Sequence, residues 1–74
     1  MLIAEYVKRA CAHVSARRPE LGERVQRAVQ INEDLYLDAA AIGFDLEAGV
    51  DCTAAAEHLA QTILQQDVSL RRAS

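Results

Sequence analysis

The sequence predicts an all-α protein, and three features of the chain indicate this class. Fourteen of the 74 residues are alanine, the residue with the highest helix propensity. Apolar residues recur every three or four positions along most of the chain, which is the spacing of one helix face. The β-branched runs and Asn-Gly turn pairs typical of hairpins do not occur. We therefore expect three helices, at about residues 2–16, 19–48 and 52–66.

The first helix is predicted from four apolar residues at helical spacing, namely Ile3, Val7, Ala10 and Val14. The proline at position 19 sets the end of this helix, because the residue before a proline avoids the α conformation. Proline also favours the first turn of a helix, since its missing N–H group has no partner to lose there. Pro19 is therefore expected to open the second helix.

The second helix is predicted to be continuous and to be the longest element of the fold. Its inward stripe consists of Leu21, Val25, Ala28, Asn32, Leu35, Ala39 and Leu46. The helix could be interrupted at two positions. A glycine such as Gly43 destabilises a helix interior by about 1 kcal/mol relative to alanine. A break at Asn32 would divide the long helix and give four helices in total. Gly49 is expected to end this helix in a left-handed conformation, and Asp51 to cap the third helix. The inward residues of the third helix are expected to be Ala56, Leu59, Ala60 and Ile63.

The helix lengths predict how the elements pack. At 1.5 Å per residue the second helix would be about 45 Å long and each neighbour about 22 Å. Short connections impose antiparallel packing, so the first helix should cover the first half of the long helix and the third helix the second half. Residues 1–66 would form one helical domain, followed by a frayed tail at residues 67–74. Because two short helices cannot cover the long one, we expect a helical homodimer.

Self-association is predicted through the second half of the long helix, where the apolar arc is too wide for one short neighbour. The expected contact residues are Asn32, Leu35, Tyr36, Ala39, Ala40, Ile42, Gly43 and Leu46. The small residues Ala39, Ala40 and Gly43 would permit a close crossing of two helices. Asn32 would set the register of the contact, as polar residues do in coiled-coil cores. Alternatively, water or a backbone carbonyl satisfies its side chain.

Charge is unevenly distributed along the chain, whose net charge is −3. Residues 1–30 have a net charge of +3, whereas residues 31–70 contain eight acidic residues and no lysine or arginine. Asp34, Asp38 and Asp45 lie in register on one face of the long helix, and we expect them to contact a protein partner. The alternative is that this acidic face imitates a row of phosphates and blocks a basic nucleic-acid-binding site.

In size and charge the chain resembles small acidic helical proteins that phages encode to inhibit host defence, such as anti-CRISPR proteins. No sequence motif carries this resemblance, which implies only a kind of function: an inhibitor from a phage or mobile element. The acidic residues Asp34, Asp38 and Asp45 would then be its contact residues.

The sequence predicts neither an enzyme nor a cofactor. Cys11, His13, Cys52 and His58 are residue types that bind zinc, but the helical spacing within each pair directs the side chains apart, so no metal site is expected. A small thiol or redox protein acting through Cys52 is a further hypothesis, because a helix N-terminus lowers the pKa of a cysteine. Basic residues are too few and too local to predict direct binding of nucleic acid.

No apolar run approaches the roughly 18 residues that cross a bilayer, and no export signal is evident. We therefore expect no membrane association, a cytoplasmic location and reduced cysteines. The leading hypothesis is a non-enzymatic helical module for protein–protein interaction. It would self-associate through its central helix and offer a charged surface to a protein partner.

Overall fold

A computed structural model of the chain describes the backbone of residues 2–73 and the side chains of residues 2–66. The described part contains no strand and is built of four helices: α1 (Ile3–Arg17), α2 (Arg24–Ile31), α3 (Glu33–Ala48) and α4 (Thr53–Ala73). The predicted all-α class is confirmed. The prediction of three helices is wrong, because the long central helix is divided into α2 and α3.

Asn32 causes this division. Its backbone is extended, with φ −131° and ψ 112°, so helical hydrogen bonding cannot continue through it. Its side-chain Oδ1 accepts hydrogen bonds from the backbone N–H groups of Asp34 and Leu35, at 3.0 and 3.3 Å. These bonds satisfy amide groups that lack partners in the first turn of a helix. Asn32 is therefore the N-cap of α3, whereas the two roles expected for its side chain were to set the register of a helix seam or to be satisfied by water or a backbone carbonyl.

The second helix also begins five residues later than predicted. The first helix does end just before Pro19, but the proline opens a turn. The carbonyl of Arg18 accepts a hydrogen bond from the N–H of Leu21 at 3.0 Å. Gly22 follows with φ +50°, a left-handed conformation that glycine adopts without steric cost. The Ser15 hydroxyl donates to the Gly22 carbonyl at 3.0 Å and holds the turn against α1.

The end of α3 and the start of α4 follow the predicted pattern. Gly49 is left-handed, with φ 76° and ψ 18°, and Val50 N–H donates to the Asp45 carbonyl at 2.9 Å. This is the hydrogen-bond arrangement of a Schellman C-cap. Asp51 Oδ1 accepts from both the N–H and the hydroxyl of Thr53, at 3.0 and 2.7 Å. These hydrogen bonds lower the pKa of the Asp51 carboxyl, because they favour its charged form.

The fourth helix is longer than predicted, since its backbone continues to Ala73. The side chains of residues 67–73, and all of residue 74, lie outside the described residues, so the frayed tail at residues 67–74 stays a prediction. Over residues 53–66 the predicted inward set is confirmed. Ala56, Leu59, Ala60 and Ile63 are all buried.

All four helices contribute to one hydrophobic core. Its members are Val7, Ala10, Cys11, Val14, Leu21, Val25, Val29, Leu35, Ala39, Ile42, Cys52, Ala56, Leu59, Ala60 and Ile63. The predicted inward face of α1 is correct except at Ile3, which is 58% exposed. The chain folds back at Asn32 and has a radius of gyration of 11.8 Å, close to the ~11.3 Å of a compact chain of this length. The second helix is therefore not a straight rod of about 45 Å, and the molecule measures 40 × 21 × 16 Å along its principal axes.

The closest helix packing is that of α1 on α3, whereas we expected α1 to cover the first half of the long helix, which is now α2. Gly43 makes this packing possible. A Cβ atom added to Gly43 would lie 2.7 Å from the Cα of Tyr6, and closer still to the Tyr6 carbonyl group. The possible break at Gly43 does not occur, since α3 is continuous from Glu33 to Ala48. Instead, the missing side chain admits the backbone of α1.

We expect the substitution Gly43→Ala to destabilise the protein by about 1–3 kcal/mol, because the added methyl group meets the backbone of α1 and α1 must move. Helix propensity alone would give the opposite sign, a gain of about 1 kcal/mol. The measurement is urea unfolding followed by circular dichroism. Ala41→Gly is the control on the exposed side of the same helix and should cost only about 1 kcal/mol. A stabilised Gly43→Ala variant would contradict the close packing of α1 on α3.

Candidate interaction surface

The residues predicted for self-association lie largely inside the chain's own core. Leu35, Ala39, Ile42 and Gly43 are buried, and the first three are among the core residues that contact the other helices. The remaining four are only partly exposed: Asn32, Tyr36, Ala40 and Leu46. The inward side of α3 is thus covered by its own chain, and a second copy cannot reach the four buried residues in this fold.

The outer side of α3 is also apolar. Leu37, Ala41, Phe44 and Ala48 follow one another at steps of four, three and four residues, which places them on one line along the helix. All four are exposed, and the large side chains of Leu37 and Phe44 remain 55% and 58% exposed. We call these four residues the α3 ridge. A helix that is apolar on both sides is typical of an element that is covered on both sides, and here the chain itself buries only one of them.

Carboxylates border the ridge. At about 100° per residue, Asp34, Asp38 and Asp45 all lie on the same flank of the ridge, and we call these three residues the acidic row. Asp38 and Asp45 line a shallow pocket between α3 and α4. Glu33 and Glu47 lie on the opposite flank. The structure therefore brings together the three aspartates that the sequence predicted as a contact, but beside an apolar line that the prediction omitted.

The carboxylates of the acidic row have no ion-pair partner among residues 2–66. The arginines of the first helix and the following turn lie against other acids. Arg9 pairs with Glu47, and Arg17 and Arg18 both pair with Glu57, at 3.2 and 3.0 Å. Such exposed pairs contribute little stability, but they place positive charge next to negative charge within the fold. The uncompensated charge that remains on α3 is negative.

The apolar surface continues from α3 onto the start of α1. The ring of Tyr6 contacts the ring of Phe44 edge to face, with 5.7 Å between centroids and 60° between planes. Aromatic pairs favour this geometry. Leu2 and Ile3, one turn before Tyr6, are 73% and 58% exposed. The ridge thus has an extension, centred on Tyr6, that widens the available apolar area.

The two cysteines are free thiols inside the core, at 7% exposure for Cys11 and 6% for Cys52. Burial raises the pKa of the Cys11 thiol, because desolvation disfavours the thiolate. Cys52 does precede the first turn of α4, as expected. A reactive thiol needs access to its substrate as well as a low pKa, and the fold denies Cys52 that access.

Other site types find no support in the described part of the chain. There, no three side chains of His, Cys, Asp or Glu are grouped closely enough to hold a metal ion. None of the described helices has the length and apolar character needed to cross a bilayer. No protein family matches the chain, and neither a curated protein nor a solved structure matches it.

The sequence prediction omits the ridge, because the three aspartates are the most polar line of the helix and were assigned to the centre of its outer face. The spacing of the apolar residues does indicate the ridge. Leu37 and Phe44 are seven residues apart and therefore share a side, and that side is opposite Leu35, Ile42 and Leu46. Two apolar sides on one helix indicate two contacts.

We expect both thiols to react slowly with iodoacetamide at neutral pH. The variants Cys11→Ala and Cys52→Ala each leave one cysteine, so that the two rates are measured separately by mass spectrometry. The labelling rate of each thiol should be at least about tenfold lower in the native chain than in urea, because labelling of a buried thiol requires local opening of the core. Labelling of Cys52 as fast in the native chain as in urea would revive the hypothesis of a thiol or redox protein.

Proposed function

We propose that the protein is a non-enzymatic interaction module that binds another polypeptide through the outer side of α3. The observation that carries this proposal is the exposed apolar ridge bordered by the acidic row, whose carboxylates lack ion-pair partners among residues 2–66. A contiguous apolar surface with a polar border is typical of a protein-binding site. The buried thiols give the alternative of a thiol or redox protein no comparable support.

The energetic gain from covering the ridge is moderate. Leu37 and Phe44 are a little more than half exposed, so burying the rest of both would contribute about 2 kcal/mol. A stable contact needs more apolar area than this. The extension around Tyr6, with the exposed Leu2 and Ile3 one turn before it, supplies further apolar area, since Tyr6 contacts Phe44. We therefore place the centre of the contact at Phe44, between the ridge and its extension.

Self-association is one form of this proposal. The homodimer expected from the sequence would have to use the ridge in place of the buried residues. Its small members, Ala41 and Ala48, would let two helices approach closely. Two copies of α3 would also bring their acidic rows together, and like charges repel across a contact. We therefore propose a weak dimer that high salt strengthens, because salt screens that repulsion.

Light scattering after size exclusion tests the dimer. At micromolar concentration we expect the 8.1 kDa monomer at low salt and a rising average mass at 1 M salt, where the screening length is about 3 Å. Leu37→Ser should restore the monomer at high salt. The control is Ile31→Ser, which removes an exposed apolar side chain outside the ridge. A strict monomer under all conditions would eliminate self-association and leave the ridge to a different polypeptide.

The second candidate function is that of an inhibitor, of the anti-CRISPR kind, that blocks a basic nucleic-acid-binding site. The uncompensated carboxylates of Asp34, Asp38 and Asp45 favour it, because a rigid helix holds them in a row. Negative charges in a row attract a groove that is built for phosphates. In this candidate the acidic row makes the main contact, and the ridge is its border.

Capture of partners from the native cell, or from the host if the source is a virus, tests the inhibitor. The triple variant Asp34→Lys, Asp38→Lys, Asp45→Lys should no longer capture a basic nucleic-acid-binding protein that the unmodified chain retains. The affinity for that protein should fall steeply as the salt concentration rises, because salt screens the attraction between exposed charges. Retention of the same partner by the triple variant, with no dependence on salt, would eliminate this candidate.

A further inference from the structure

The charges that border the ridge and have no ion-pair partner among residues 2–66 are all negative. The acidic row lies on one flank, and Glu33 lies on the other. Residues 28–70 contain no lysine or arginine, so α3 itself supplies no positive charge. Arg9 of α1 reaches α3, where it forms an ion pair with Glu47. A partner that covers the ridge must therefore approach carboxylates from both sides.

This charge pattern discriminates between possible partners. A second copy would bring its own α3 and hence the same carboxylates, which oppose close contact. A partner with lysine or arginine on either side of an apolar line would gain attraction at both flanks while it covers the ridge. Charge complementarity therefore favours a basic amphipathic segment over a second copy of this chain.

The shape of the ridge indicates a helical segment. Leu37 and Phe44 are seven residues apart, a rise of about 10 Å, and the small Ala41 lies between them. Two large side chains with a small one between them form a notch. One large apolar side chain of a partner helix fits such a notch, in the way that a knob enters a hole between helices. The whole ridge spans about 16 Å, or three helical turns.

We infer that the occupant of the α3 ridge is a basic amphipathic helix of another protein. This inference rests on the proposed function and specifies the partner's chemistry. One large apolar side chain of the partner helix enters the notch over Ala41, between Leu37 and Phe44. Lysine or arginine residues on its flanks pair with Asp34, Asp38 and Asp45 on one side and with Glu33 on the other.

Two synthetic helical peptides of equal length and identical apolar pattern provide the probes. One has lysine and arginine at its flanking positions, and the other has glutamate there. Each is titrated against the full chain by isothermal calorimetry at low and at moderate salt. We expect the basic peptide to bind, its affinity to fall with salt, and the acidic peptide to show no binding.

Two substitutions separate charge from shape, and each has a matched control. Asp38→Lys should weaken binding of the basic peptide about tenfold, whereas Glu23→Lys, an equal charge change outside the flanks of the ridge, should leave it unchanged. Ala41→Leu fills the notch while it adds apolar surface, and should also weaken binding about tenfold. Ala16→Leu makes the same change on an exposed face of α1 and should have no effect.

The outcomes distinguish this inference from the proposed function. Failure of the basic peptide to bind, equal binding of both peptides, or indifference to Asp38→Lys would overturn the basic helix. In that case, if light scattering shows a dimer and Ala41→Leu abolishes it, the occupant of the ridge is a second copy of the chain. The proposed function as an interaction module would then be retained. If Ala41→Leu changes neither peptide binding nor self-association, the ridge is not a contact surface, and the proposed function fails with it.

Discussion

The close approach of α1 to α3 at Gly43 is the contact on which the rest of the molecule depends. Because the glycine has no side chain, the backbone of α1 lies directly on α3, and the two helices seal one side of the core. Leu35, Ala39 and Ile42 of α3 are buried in the core to which all four helices contribute. Once that side of α3 is occupied, Leu37, Ala41, Phe44 and Ala48 on its other side stay exposed, although the ring of Phe44 contacts the ring of Tyr6. The exposed ridge is thus a consequence of the packing that stabilises the fold.

The same packing determines the sign of the charge on the exposed surface of α3. With α1 placed against α3 and close to α4, its arginines lie beside Glu47 and Glu57 and are paired within the chain. The carboxylates of Asp34, Asp38 and Asp45 lie beyond the reach of those arginines. The charge asymmetry of the sequence therefore becomes a local feature, an acidic border beside an apolar line. Apolar area favours contact in general, and the border selects among possible partners.

Local signals predicted local structure well. Gly49 has the conformation and hydrogen bonds expected of a helix C-cap, and the Asp51 side chain accepts the hydrogen bonds expected of a capping residue. Both features depend on the backbone within a few residues. The break at Asn32 is the outcome that the sequence favours less. An asparagine followed by two acidic residues favours a new helix start, but the continuous apolar stripe favoured an unbroken helix. The chain forms a new helix start at Asn32 because folding back there buries Val25, Val29 and Leu35 in one core. A straight helix would leave part of the apolar stripe in water.

By itself the sequence determined the helical class, the inward faces of α1 and α4, the caps at Gly49 and Asp51 and the register of the three aspartates. Each of these follows from spacing or from the chemistry of a few neighbouring residues. Only the tertiary structure decided which of the two apolar sides of α3 is covered, and whether Gly43 breaks a helix or admits another. Those outcomes depend on which helix lies opposite, and a periodic pattern is the same whichever neighbour covers it. The surface available to a partner is the side of α3 that the other helices of the chain leave exposed.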